Sequence, residues 1–441
     1  MRHSAALAAI ALLTLPHTLR ADLKDYVEKE DKSFKFEIDS NHDVGKTKVL
    51  SVKLTSQTWR GIEWNHWLSI IIPPNVKHKD KAILFITGGK NGTPAPSLDS
   101  NAARMFLTLS QQTGAIMAVV QQVPNQPLFD GKYEDALIAM TFAKYIETQE
   151  ADWPLLLPMT KSAVRAMDAV QAVCKERLKL DIDGFVVTGA SKRGWTTWLT
   201  SAVDKRVIGI APMVIDVLNF DPQLEHQRKS YGRLSERIDD YDRLNLPDKM
   251  KTENGKKLNK IVDPYNYIDG ITIPKLVLLG TNDAYWTVDA SSHYFPDLKG
   301  PKHIYYEPNA GHGLGYGIIP TTIAFFDATM SGKTLPKLDW KKGDDGSLTV
   351  TWDDKAHPGA TASLWQANSE TRDFRKAVWS PRRLEGKGEV KVTPEVPDKG
   401  WTAAYVEVRF AAESGLAFGL CTEMTVLPKA MPFDRDGKPV E

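Results

Sequence analysis

The fold is decided at Gly184-Phe185-Val186-Val187-Thr188-Gly189-Ala190-Ser191-Lys192-Arg193-Gly194-Trp195. The apolar run Gly184 to Val187 predicts a buried strand, and Trp195 to Val203 is compatible with a helix. Between them lies a sharp turn carrying a serine among small residues. This is the layout of a nucleophile elbow, where strain at the turn lifts a hydroxyl above the sheet edge. The backbone N–H of the next residue, Lys192, then faces the place where an oxyanion would form. The usual elbow reads G-x-S-x-G. Here Arg193 holds the place of the last glycine and Gly194 comes one residue late. A glycine-flanked serine at such a turn also serves as an ordinary helix N-cap, so the choice between the two depends on the rest of the chain.

Upstream, Thr47 to Leu54 and His66 to Ile72 alternate partially, as antiparallel strands do, while residues 22–45 read as charged and irregular. Lys81 to Thr87 is a continuous apolar run, the mark of a strand buried on both faces. It ends in Gly88-Gly89-Lys90-Asn91-Gly92. The Walker pattern is absent, so a phosphate-binding loop is not expected. In a hydrolase this loop supplies the second oxyanion donor, the N–H of Gly89 or Lys90; a plain turn is the alternative. Ala102 to Thr108, Tyr133 to Thr148 and Met159 to Arg177 carry helical spacing, and Ala115 to Gln121 reads as a further strand. Downstream come strands at Val207 to Val214, Pro274 to Gly280 and Lys302 to Tyr306, and a helix at Thr321 to Met330. Alternating strands and helices imply right-handed crossovers and a mostly parallel sheet with helices on both faces. The predicted class is therefore α/β, with an α/β-hydrolase domain over residues 22–335. Residues 215–270 interrupt the rhythm with charge and proline. They are expected to form a cap-like insertion over the site, with a surface helical hairpin as the plainer alternative. Residues 336–430 change character to short alternating runs, at Ser347 to Trp352, Thr361 to Gln366, Ala377 to Trp379, Val390 to Thr393, Ala403 to Phe410 and Ala417 to Thr425. They predict a small C-terminal β-sandwich.

Three predicted strand ends in the first domain carry Ser191, Asp283 and His312, in the chain order that α/β-hydrolases use. Serine is a poor nucleophile until a base takes its proton. Imidazole, with an ordinary pKa of about 6.5, takes and returns that proton near neutrality. A carboxylate fixes the imidazole's tautomer and stabilises the imidazolium. Ligands of parallel sheets bind beyond the carboxyl ends of the strands, where all three residues fall. Asp283 is also compatible with a turn cap, and His312 with a loop histidine between two glycines. Tyr285 and Trp286, after Asp283, are candidates to line a substrate pocket, with core packing as the alternative. Lys192 and Arg193 place cations at a helix N-terminus, against the helix dipole. Arg193 is expected either to be held inward by an acidic partner or to meet a substrate carboxylate; the simpler reading sends both side chains to solvent. No HExxH or paired Cys/His spacing occurs, so neither a catalytic metal nor a cofactor is expected.

Composition bounds the function. At 441 residues the chain is too long for one ordinary domain, and a net charge of +1 argues against a general nucleic-acid or membrane-surface binder. Arg2 and His3 precede the apolar run Ala5 to Leu15, which ends near Leu19-Arg20-Ala21. This predicts a signal peptide over residues 1–21, cleavage near Ala21, a periplasmic or secreted mature chain, and no stable membrane insertion. The two cysteines, Cys174 and Cys421, fall in different predicted domains and read as buried thiols.

Several stretches together resemble the PhoPQ-activated pathogenicity-related family. They are Glu134-Asp135-Ala136-Leu137-Ile138-Ala139, Trp153-Pro154, Leu157-Pro158-Met159-Thr160-Lys161, Gly189 to Trp195, and Asn309-Ala310-Gly311-His312. The resemblance implies an exported α/β-hydrolase-like protein, related to virulence or the envelope through a family name that reflects regulation by a two-component system linked to virulence and antimicrobial-peptide resistance, and supplies no substrate. Some secreted relatives are described as growth regulators, so it also leaves a secreted binding or signalling role open. The serine turn is similar to that of glucuronoyl esterases, although there the arginine directly follows the serine. The resulting expectation is an exported serine hydrolase acting on a small-molecule, peptide or carbohydrate ester or amide.

Overall fold

The computed structural model describes residues 22–412 and 415–440. The expected signal peptide lies outside the described residues. A nine-stranded sheet is built from β1 (Lys35–Val44), β2 (Thr47–Trp59), β3 (Ile62–Ile72), β4 (Lys81–Ile86), β5 (Ile116–Val120), β6 (Gly184–Ala190), β7 (Val207–Met213), β8 (Lys275–Gly280) and β9 (Lys302–Glu307). The spatial order is β1-β2-β3-β5-β4-β6-β7-β8-β9. The first three strands and the β3–β5 pair are antiparallel, and β5, β4, β6, β7, β8 and β9 run parallel. Strand β6 is buried along nearly its whole length, which is why its sequence runs apolar without alternation.

Among the described residues ten α-helices accompany the strands: α1 (Leu23–Glu28), α2 (Asn101–Thr113), α3 (Glu134–Thr148), α4 (Leu156–Leu178), α5 (Lys192–Val203), α6 (Phe220–Tyr231), α7 (Asp239–Asp242), α8 (Leu246–Lys249), α9 (Glu253–Val262) and α10 (Ile318–Met330). Helix α2 packs on α10, and α4 on α5, covering the sheet from two sides. Trp195, Trp198 and Leu199 bury one face of α5 in the core. Each such side chain contributes about 2 kcal/mol to holding the helix that begins at the elbow. This is the α/β-hydrolase fold.

Helices α6 to α9 all lie between β7 and β8, and several hydrogen bonds tie this region to the body. Gln227 Nε2 and Ser235 Oγ donate to the carbonyls of Tyr285 and Ala284, and Asn254 Nδ2 donates to that of Ile146. The C-terminal region holds two antiparallel sheets. One comprises β10 (Leu338–Lys342), β11 (Leu348–Trp352) and β14 (Glu389–Val392). The other comprises β12 (Thr361–Ser369), β13 (Ser380–Leu384), β15 (Trp401–Ala411), β16 (Ala417–Cys421) and β17 (Thr425–Leu427). Thr321 Oγ1, on α10, exchanges 3.1 Å hydrogen bonds with both backbone groups of Gly419 on β16, joining the two regions. Cys174 and Cys421 are buried free thiols.

Two local expectations are corrected. Residues 22–45 are not irregular, since they form α1 and β1; β1 is an edge strand whose residues are mostly exposed, so its composition resembles that of a loop. Ala377 to Trp379 is not a strand. Its backbone is committed to side chains of the first domain, as described below.

Candidate active site

Ser191 sits between β6 and α5 with φ 59° and ψ −128°. A non-glycine residue in such a conformation carries about 1–3 kcal/mol of strain. The turn is held by Ser191 N–H donating to Met213 O at 2.8 Å and Trp195 N–H donating to Ser191 O at 3.0 Å. The displaced glycine has a packing reason. A Cβ on Gly194 would lie 2.7 Å from Ile215 Cγ2 and 3.0 Å from the carbonyl oxygens of Gly189 and Met213. A Cβ on Gly189 would lie 2.8 Å from Arg193 O. The helix therefore makes its close approach one residue later than in G-x-S-x-G, and the second position after the serine is free to carry a long side chain.

Asp283 follows β8 and His312 follows β9. His312 Nε2 is 2.8 Å from Ser191 Oγ, and His312 Nδ1 is 2.8 Å from Asp283 Oδ2. With Nδ1–H donating to the carboxylate, Nε2 is left to accept from the hydroxyl. The second carboxylate oxygen of the buried Asp283 accepts from Tyr285 N–H at 2.8 Å. The Tyr285 ring lies on the imidazole, with centroids 4.2 Å apart.

The loops carrying Asp283 and His312 are joined to each other and to the C-terminal region. Asn282 N–H donates to Ala310 O, and Asn309 N–H to Thr281 Oγ1. Asn282 Nδ2 donates to Ala377 O at 2.8 Å. Asn309 Nδ2 donates to Trp379 O at 3.0 Å, and Asn309 Oδ1 accepts from Trp379 N–H at 2.8 Å. Nearby, buried Arg372 donates to Asp289 at 2.6 Å and to Ser230 at 2.8 Å, and Asp289 also meets His226 at 2.7 Å. Asn282 and Asn309 are thus held by backbone groups of the C-terminal region.

Both elbow cations turn inward, correcting the solvent reading. Arg193 Nη1 and Nη2 bind the two oxygens of Glu134 at 2.8 and 2.7 Å, and Nε donates to Val123 O at 2.5 Å. Lys192 Nζ meets Glu134 at 2.9 Å and Asp135 at 3.3 Å. Burial alone would push the Glu134 carboxyl up; Arg193, Lys192 and the Gln126 amide override it and bring it down to about 2. The assignment of Arg193 to substrate binding is corrected too. Its guanidinium packs beneath Gly88, where a Cβ would lie 2.5 Å from Nη2, and it does not line the cavity at Ser191. Gln126 Nε2 donates to Glu134 and to Gly89 O, so the network reaches the glycine loop. Gly89 and Lys90 themselves are exposed and stand outside the cavity lining, whereas Lys192, Tyr285 and Trp286 line it.

Behind Asp283 sits a second carboxylate, Asp216, which accepts from Tyr294 Oη at 2.5 Å. Burial, with the Asp283 charge adding to it, pushes the Asp216 carboxyl up to about 7 against the Tyr294 hydrogen bond. Sequence reading missed Asp216, Glu134, Asn282 and Asn309 as parts of the site. Among the described residues no group of three or more His, Cys, Asp or Glu side chains is arranged to hold a metal ion. No described helix is long and apolar enough to cross a membrane.

The fold and the strand-end placement of these residues define an α/β-hydrolase scaffold. The chain belongs to the PhoPQ-activated pathogenicity-related protein family, whose sequence pattern matches residues 23–375. It is 29% identical over 456 residues to autocrine proliferation repressor protein A of Dictyostelium discoideum, covering 93% of this chain and 91% of the relative. Among solved structures, an acetyl xylan esterase from Paenibacillus sp. R4 matches with a TM-score of 0.50 and 13% identity, over 70% of this chain and 92% of the esterase. Acetyl xylan esterase 1 from Thermoanaerobacterium sp. JW/SL YS485 matches with a TM-score of 0.49 and 16% identity, over 70% and 90%.

Proposed function

We propose that this protein is an exported serine hydrolase that cleaves an ester or amide through an acyl-enzyme. The observation that carries the reading is the continuous pair of 2.8 Å contacts from Ser191 Oγ to His312 to Asp283. His312 Nε2 takes the Ser191 proton as Oγ bonds to the scissile carbonyl carbon. It returns that proton to the leaving oxygen or nitrogen as the carbon–heteroatom bond breaks. Water then repeats the sequence and frees the acid. Asp283 holds the imidazole tautomer and offsets the imidazolium charge. The N–H of Lys192, at the start of α5, is one oxyanion donor, and the loop of Gly89 and Lys90 supplies the other. Export rests on residues 1–21, and a role at the envelope or in virulence rests on the family's description.

A fluorophosphonate probe tests the chemistry. Labelling of the wild type, abolished in Ser191→Ala, is the expected result. A folded wild type that is neither labelled nor active on a panel of esters and peptides sinks the reading. It would favour a second one, a secreted binding or signalling protein on the same scaffold, which rests on the name of the Dictyostelium relative, an autocrine proliferation repressor. Export predicts a secreted or periplasmic chain beginning at Asp22 on N-terminal sequencing; an intact Met1 start refutes it.

A further inference from the structure

A cavity opens directly at Ser191, and the residues between β7 and β8 build much of its wall. Ser191, Lys192 and His312 are among its lining residues. Phe142 and Trp195 come from the body, and Phe220, Ile238, Leu246 and Met250 from the region between the strands. Most of the charged and amide groups that reach this space are already paired, while the buried Trp286 Nε1 has no partner. Lys192 Nζ and Asp135 pair at 3.3 Å, and Tyr241 Oη donates to Asp135 at 3.1 Å. Gln223 Nε2 donates to the carbonyls of Leu218 and Ala290. A polar group entering here would lose its water and find Lys192, Asp135, Tyr241 and the Gln223 amide N–H already engaged, with a single indole N–H, that of Trp286, to offset the loss, whereas an apolar group gains by burial.

We infer that the cavity houses the acyl group of the substrate, and that this group is an unsubstituted aliphatic chain of about four carbons beyond the carbonyl. The inference rests on the hydrolase reading above and adds the substrate class to it. Direction follows from the base. The leaving group departs past His312, which must protonate it, and the His312 side chain is 26% exposed. The alcohol or amine side therefore faces solvent, and the inner side receives the acyl chain. Size follows from the space. The cavity measures about 100 Å³. An apolar cavity of about 150 Å³ accepts the six carbons of benzene, so two thirds of that volume accepts about four.

The test uses the full-length mature protein and two ester series. One varies the acyl chain from acetyl to dodecanoyl on a p-nitrophenol leaving group; the other holds the acyl group at pentanoyl and varies the alcohol. kcat/KM is expected to rise about fourfold per methylene, roughly sixtyfold over the three methylenes from acetate to pentanoate, then to fall for longer chains, with little dependence on the alcohol. Met250→Trp, which fills the cavity, should lower the pentanoate-to-acetate ratio at least tenfold. Leu246→Ala, which enlarges it, should move the optimum to longer chains. Far-ultraviolet circular dichroism checks that each variant is folded, and either folded variant suffices. A best rate on acetate, a preference that follows the alcohol chain, or an optimum unmoved by the folded variants overturns the inference. Fluorophosphonate labelling of Ser191 separates the two levels: labelling with an acetate-first profile sinks the pocket alone, and absence of both labelling and turnover sinks the hydrolase reading with it.

Discussion

The ion pair beneath the elbow gives a quantitative prediction for Glu134→Gln. Arg193 is 11% exposed and Lys192 8%, while Glu134 is 37% exposed. Removing one partner of a fully buried pair costs about 3–5 kcal/mol, because the other charge is left without compensation. Here a third of the carboxylate side chain meets water, and Lys192 keeps Asp135, so the cost is roughly halved by solvent screening to about 2 kcal/mol. Urea unfolding followed by tryptophan fluorescence, on wild type, Glu134→Gln, Arg193→Met and the double variant, isolates the pair. The expected coupling energy is about 1–2 kcal/mol at pH 7. The pH dependence has a definite sign. The folded carboxyl lies at about 2, below its ordinary 4.5, so its contribution is complete above about pH 4.5 and is lost as pH falls towards 2. The wild type's advantage over Glu134→Gln should shrink across that window. Arg193→Met should also change KM equally for acidic and neutral esters, since the guanidinium faces Glu134 and not the cavity. A coupling energy below about 0.5 kcal/mol, or a KM rise confined to acidic substrates, would refute this account of Arg193.

Asp283→Asn should leave the fold intact and lower kcat about 10⁴-fold through the wrong imidazole tautomer; a loss under tenfold in an ester assay would remove Asp283 from the proposed mechanism. Asn282→Ala deletes the 2.8 Å bond to Ala377 O and should lower kcat about tenfold with KM held, because a misaligned reacting geometry costs rate rather than affinity. A drop in melting temperature with unchanged kcat would make that contact structural only. Asp216→Asn removes a buried carboxyl whose folded pKa, about 7, exceeds its ordinary 3.8, so wild-type stability falls as pH rises between those values. The variant should gain on the wild type from pH 4 to 7 in thermal melts, and a constant difference would contradict the assignment. Gly194→Ala should be destabilised by about 1–3 kcal/mol, as overpacking against Ile215 and two carbonyls demands; a melting curve matching the wild type would mean the elbow relaxes freely.

How much of this was legible in the sequence depends on whether burial or partnership made each feature. Strands β4 to β8 declare themselves because burial on both faces forbids alternation, and the ends of β6, β8 and β9 are where a reader looks for chemistry. Strand β1 is hidden for the converse reason. An edge strand with little burial needs no apolar residues, and Lys35 to Val44 has only Phe36, Ile38 and Val44. The supporting contacts are harder still. Asn282 adjoins Asp283 and Asn309 lies three residues before His312, but their partners are backbone groups of residues 377–379, and a carbonyl has no sequence signature. The Ala-Val-Trp composition of that segment even imitates a strand, since Trp379 is buried for packing and not for pairing. Arg193 was ambiguous because the residue deciding its direction, Glu134, lies 59 positions away. The quoted Glu134-Asp135 stretch and the late glycine nevertheless belong together physically. Moving the small residue to Gly194 leaves the position beneath the glycine loop able to hold a guanidinium, and a buried guanidinium requires a carboxylate. An elbow with a cation in the second place after its serine should therefore be read as a demand for an acidic residue elsewhere in the same domain, and here Glu134, the first residue of α3, meets it.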